Sequence, residues 1–215
     1  MTEIRRRRAA AAVVLSAVLL VGTACSKDKK DASTTSTSAA TTATTAESTT
    51  TTGPLTKDQI VLGADGVGAV KFQTNAAHTI ARFMQALGNP DKNTPLPAGT
   101  ACGATRRLHW ANFQVLVNEV GGTSGAGKPG FAGWYLGPLA GPTALDFKTE
   151  KGIGVGSTVG AIKAAYATDA QIARGEQGWG FTITAPGGII IGQLDGGADG
   201  NKVRNIQAGN YCGPA

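Results

Sequence analysis

The sequence predicts an α+β domain of two related halves, each a helix packed on an antiparallel β-meander. Three observations carry that expectation. Ala76–Leu87 and residues 159–167 both space apolar residues as one face of a helix. Each is preceded by a short alternating apolar stretch that ends on a hydroxyl residue able to cap a helix, and each is followed by segments of strand periodicity broken by turn residues. Helix then strands, twice over, is the order of an α+β layer in which each helix covers one face of a sheet.

The chain begins with a different kind of segment. Four arginines at positions 5–8, an apolar and small-residue run from Ala9, and the sequence Leu-Val-Gly-Thr-Ala at 20–24 lead up to Cys25 and Ser26. A positive cluster, an apolar stretch and small residues make a bacterial secretory signal. The 16 residues from 9 to 24 fall short of the roughly 20 that a permanent helical span requires, so residues 1–24 read as a cleaved signal peptide. Alanines follow the arginines where a twin-arginine signal has a larger apolar residue, which favours general secretion. The segment resembles a lipoprotein signal. That resemblance implies that Cys25 starts the mature protein and carries diacylglycerol with palmitate-type chains, holding the protein to the cell membrane on its outer side. An ordinary secretory signal cut near Ala24, or an uncleaved anchor, is the alternative.

Residues 25–54 read as a disordered linker. In the 22 residues from 32 to 53 there are 11 Thr, 4 Ser and 5 Ala, and no large apolar side chain. Nothing there offsets the roughly 1–2 kcal/mol per residue lost on ordering a backbone. As a flexible coil, the segment from 27 to 53 reaches roughly 30 Å. It is either a plain spacer or a carrier of O-linked sugars.

Charge narrows the partners. The formal charge of +6 falls once residues 1–24 are removed, leaving 16 basic against 13 acidic side chains; from 55 to 215 the balance is 13 against 10, scattered along the chain. Arg106-Arg107 is the only adjacent basic pair in that part. A nucleic-acid binder needs a concentrated basic face, so that class is disfavoured.

The folded part, residues 55–215, divides into half-repeats at about 58–139 and 145–215. In the first, the alternating stretch 67–75 leads into the helix, where Ile80, Phe83, Met84 and Leu87 make the apolar stripe, and Gly88-Asn89-Pro90 stops it. Strands at 105–110 and 113–117 flank an Ala111-Asn112 turn, and a third strand covers 130–136. In the second, residues 152–158 lead into a helix with Val159, Ile162, Ala165 and Tyr166 on one side, followed by strands at 180–184, 188–194 and 203–208. Residues 74–90 and 156–167, with the Leu-Gly-x-Pro element at 87–90, resemble two groups. One is the secreted β-lactamase inhibitory proteins, tandem repeats of a helix plus four strands; the other is the small lipoproteins of outer-membrane assembly. Both bind proteins, so the resemblance implies a binding module.

Candidate site residues are few. Cys102 and Cys212 remain once Cys25 is set aside, and in an exported chain the simple expectation is a disulfide between them. Closing about 110 residues, it would disfavour the unfolded chain by roughly 4–5 kcal/mol in the chain-entropy model. The glycine-rich run from 122 to Lys128 has P-loop spacing, but Pro129 replaces the hydroxyl that would hold magnesium. The run 195–201 lacks the acidic or amide residue at Gly197 and the glutamate at Ile206 that an EF-hand needs. His78 and His109 have no nucleophile motif beside them, so no catalytic residues, cofactor or metal are assigned. Trp110, Trp134 and Trp179 remain: rings on a sheet either anchor a partner or pack under the helices. The expected function is non-enzymatic binding of an envelope protein or glycan through an open sheet face, a protein being preferred on the resemblance. A cell-wall hydrolase or transferase is the alternative.

Overall fold

In the computed structural model the chain is described over residues 54–97, 100, 102–120, 128–138 and 143–211. The signal segment, Cys25, the Thr-rich linker, residues 122–127 of the P-loop-like run and Cys212 lie outside the described residues. A 3-10 turn, Lys57–Gln59, precedes β1 (Val61–Gly63), β2 (Gly66–Val67) and β3 (Val70–Lys71). Next come α1 (Ala76–Leu87), β4 (Lys92–Pro95), β5 (Arg106–Trp110), β6 (Phe113–Asn118), β7 (Gly130–Leu136) and β8 (Lys148–Thr149). Then α2 (Val159–Tyr166) runs into a 3-10 turn, Ala167–Asp169, followed by β9 (Ala170–Gly175), β10 (Gly178–Ala185), β11 (Gly188–Leu194) and β12 (Val203–Gly209). The fold is α+β and mostly β. One antiparallel eight-stranded sheet has the order β4-β5-β6-β7-β12-β11-β10-β9, and a small sheet has the order β3-β2-β1-β8.

Local chemistry accounts for the elements. α1 starts at Asn75, whose side chain accepts from the His78 N–H, and ends at Gly88 with φ 78°. The cap is thus the amide at 75 rather than the hydroxyl of Thr74, whose carbonyl is taken by the Phe131 N–H at 2.7 Å. The buried stripe is also rotated from the expected one. Ala76, Thr79 and Phe83 are buried and Met84 is 37% exposed, because α1 lies over β6 and β7 through Phe83. Thr79 is tolerated inside because its hydroxyl donates to the Thr74 carbonyl. α2 has the expected face, with Val159, Ile162 and Tyr166 buried. Thr158 caps it by accepting from Ala161, and the Asn201 and Asp199 carbonyls accept from the Val159 and Gly160 N–H groups. Those bonds satisfy helix-end donors that would otherwise be orphaned.

The Ala111-Asn112 turn is present, Trp110 facing Phe113 across it and Ala111 at φ 51°, the sense of backbone that suits a two-residue hairpin. Asn112 also holds the segment that follows β7: its side chain accepts from the Leu145 N–H at 2.7 Å and donates to the Gly137 and Leu145 carbonyls. Two edge strands, β4 and β9, were not expected. The alternating stretch 152–158 forms turns and isolated bridges, and the short strand before it, β8, pairs with β1.

The core lies on one face of the large sheet. Phe83 meets Trp110, Phe113 and Phe131 with ring centroids about 6 Å apart, the spacing of favourable tilted pairs. From β10 to β12, Phe181, Ile183, Ile190 and Ile206 join the same cluster, as do Leu62, Val67 and Val70 of the small sheet. Trp134 donates its indole N–H to the Gly63 carbonyl at 2.9 Å, tying the small sheet to the large one. Among the described residues no helix is long and apolar enough to cross a membrane.

Candidate binding site

Strand alternation sends the other side chains to the opposite face. The register lines up Lys92, His109, Gln114 and Tyr135 in one row across β4 to β7. The row continues through Gln207, Ile191, Thr182 and Gln171 on β12 to β9. One cross-strand row therefore spans all eight strands, and its members on β12 to β9 are amide, hydroxyl or aliphatic.

Part of this face is roofed. Cys102, Ala104 and Leu116 form a separate buried cluster against which Leu96, Ala132 and Tyr211 pack. Tyr211 stacks on Tyr135 at 4.7 Å and 9°, donates to Gln114 at 3.0 Å, and has the Arg107 guanidinium 5.8 Å from its ring centre. Burial, aided by Tyr135 and opposed by Arg107, pushes the Tyr211 hydroxyl up to about 12. Burial raises Tyr135 too, against a hydrogen bond with Asn205. His109 is held below its ordinary value by burial, then by Arg107 and Lys92, with Asp91 opposing.

Beyond Tyr135 the face opens into two adjoining clefts. One, of about 510 Å³, is bordered by Tyr135, Ile191, Gln193, Asn205 and Gln207 and by Gln177 from the β9–β10 turn. The other, of about 410 Å³, runs along β9 and β10 past Gln171, Thr182 and Glu176, and shares Gln177 and Gln193 with the first. Asn205 orders the floor: it donates to the Gln193 side chain at 2.8 Å and accepts from the Gln193 N–H at 3.1 Å. A further cleft of about 510 Å³ lies on the other side of the molecule, where Asp65, Glu150 and Asp169 share the lining with Lys71, Lys151 and Tyr166. Asp65 is ion-paired to Lys71 there at 2.8 Å, and Lys151 sits 4.6 Å over the Tyr166 ring. Among the described residues no group of three or more His, Cys, Asp or Glu side chains could hold a metal ion.

The residues singled out from sequence are dispersed. Trp110 and Trp134 are 4% and 0% exposed and pack in the core, Trp110 donating to the Gly88 carbonyl. Trp179 is 37% exposed at the start of β10. It stands two residues from Phe181 and so shares the covered face with it, beside Arg174 and against Gly197. Of the three rings, only this one reaches the surface. Cys102 is buried. His78 is exposed on α1. In the 195–201 turn, Asp195 accepts from Lys202 N–H, Asn201 accepts from Ala198 N–H, and Asp199 pairs with Lys163. The amides of the clefts were not singled out; their only sequence signal is a polar residue at alternate strand positions, which reads as ordinary solvent-facing polarity. Comparison with protein-family models, curated proteins and solved structures finds no match to the chain.

Proposed function

We propose that this protein is an exported lipoprotein, anchored through Cys25 and a Thr-rich tether, whose folded part is a non-enzymatic binding module presenting the uncovered half of its large sheet to an envelope component. The observation that carries the binding reading is the asymmetry of that sheet. Its strands bury large apolar side chains on one side, while the other side opens into two joined clefts with an ordered polar floor. Concave sites of a few hundred Å³ with convergent polar groups are the usual form of a ligand site. The two halves are proposed to be related: each supplies a helix and then a four-stranded meander, and the strand order mirrors itself about the β7–β12 pair. A Cys102–Cys212 bridge fits as well, since Tyr211, next in chain to Cys212, packs on the Cys102 cluster.

Retention of a labelled envelope component by the full chain, lost on substituting the cleft amides, tests the binding reading; unchanged retention refutes it. Replacing Cys25 by Ala should release the protein into the medium or block its processing, and unchanged membrane retention with unchanged processing rejects the anchor. Peptide mapping without reductant should yield a peptide pair joining Cys102 to Cys212. A hydrolase or transferase reading belongs with the second 510 Å³ cleft, the one that gathers Asp65, Glu150 and Asp169; cell-wall turnover abolished by Asp169→Asn or Glu150→Gln would favour it.

A further inference from the structure

We infer that the occupant of the joined clefts is an uncharged oligosaccharide segment of an envelope polysaccharide. This rests on the open-face reading above and names its ligand. The first cleft has no Lys, Arg, Asp or Glu in its lining, and the second has one, Glu176. An anionic ligand desolvated there would lack a counter-charge, and a cationic one would find only Glu176 at the second cleft, whereas a polyhydroxylated neutral ligand needs none. Each sugar hydroxyl both donates and accepts, and a carboxamide offers two donors and an acceptor in one plane, so neighbouring hydroxyls can each find a partner on the same side chain. Gln177, Gln193, Asn205 and Gln207 supply four such groups around one cleft, and Tyr135 supplies an aromatic wall.

The geometry also favours a chain over a single ring. Gln177 and Gln193 border both clefts, so the two are subsites of one path from Tyr135 on β7 to Gln171 on the edge strand β9. Each is by itself of the size, about 300–1,000 Å³, that holds a small ligand, so the joined pair has room for more than a single sugar ring. A protein partner would instead be expected to rest on buried Trp, Tyr or Arg anchors at the centre of a broad contact. Here the middle is amide, and the one exposed tryptophan, Trp179, borders only the second cleft, at the start of β10.

The test titrates the full chain with immobilised neutral hexose and pentose oligosaccharides, with uronic-acid oligosaccharides as the charged comparison, and with detergent-solubilised envelope protein as a third arm. Gln193→Ala and Gln207→Ala, each confirmed folded by an unchanged thermal midpoint, should weaken binding of at least one neutral series about five- to tenfold, the effect of losing a ligand hydrogen bond. Lys163→Ala on α2 should leave it unchanged. Neutral binding insensitive to both glutamine substitutions, or binding only of the uronic-acid series, overturns the inference. Retention of a protein, with no sugar bound and with that retention lost in the glutamine variants, overturns the glycan while sparing the open face. Insensitivity of every arm to the glutamine substitutions defeats both readings.

Discussion

The two faces of the large sheet are drawn from alternate residues of the same strands, yet they differ sharply in chemistry. On the covered face, Leu108, Val115, Trp134, Ala208, Ile190 and Ile183 stand in one cross-strand row and are nearly solvent-free. One residue along the strands, the row on the other face reads Gln114, Tyr135, Gln207, Ile191 and Thr182. Burial of a large apolar side chain is worth about 1.5–3 kcal/mol, so the first row holds the fold together. Exposed amides contribute little to stability, and the second row is free to be shaped by a ligand. The apolar core face and the proposed recognition face are thus a single pleat apart, and a change on one side should leave the other readable.

The sharpest way to break the covered face is Phe83→Ala. The ring is fully buried among Trp110, Phe113 and Phe131, and its loss should lower stability by about 3–5 kcal/mol in urea unfolding. A loss under about 1 kcal/mol would mean that α1 is not seated on the sheet as described. Thr149→Val comes next. Its hydroxyl accepts from the Ile153 N–H and from the Tyr166 hydroxyl inside the core, so the isosteric change strands two buried donors and should cost about 1–3 kcal/mol. The helix caps should matter less, with Asn75→Ala and Thr158→Ala each near 1 kcal/mol. Thr158 should be the milder, because carbonyls of the 195–201 turn already satisfy the first N–H groups of α2.

The remaining tests concern pH on the uncovered side. Tyr211 keeps its proton in the folded chain up to about 12, whereas an unfolded tyrosine ionises near 10. The unfolded state therefore binds fewer protons above that point, and stability should fall as pH rises past about 10; Tyr211→Phe should flatten that fall. A tyrosinate absorbance change near pH 10 involving all three tyrosines would contradict it. The smallest effect is expected from His109, whose folded value is depressed below 6.5. Its contribution is present above the unfolded value and is lost as pH drops below about 6.5 through the folded one. His109→Gln should remove that acidic slope, and an unaltered slope would exclude the histidine as its source.

How much was legible varied with the physics of each element. α1 was readable to its last residue, because Gly88 and Pro90 stop a helix by their own backbone constraints. Its buried stripe was not: the helix turns far enough for Thr79 to enter and Met84 to leave, an outcome set by the sheet beneath it. β4, whose residues are Lys-Asn-Thr-Pro and all exposed, carries no apolar alternation, and β9 carries only the half-buried pair Ala170 and Ile172 before it turns to Arg and Gly. They are strands because β5 and β10 offer them unpaired backbone groups, and edge strands need no buried face. The tryptophans show the same limit. Sequence placed all three on or beside strands, but the face each ring occupies depends on pairing register, and two of the three are core.

Within the folded part, the sequence alone determined the class of fold, the two helices, the central hairpins and the turns that join them, because capping, glycine and proline geometry and strand alternation act over a few residues. Only the tertiary structure decided that the two meanders join edge to edge through β7 and β12, that loop and C-terminal residues roof one half of the uncovered face, and that Gln177, Gln193, Asn205 and Gln207 meet Tyr135 around one cleft. Those residues come from four separate segments of the chain. No local preference can bring them together; the register of successive strand pairs does.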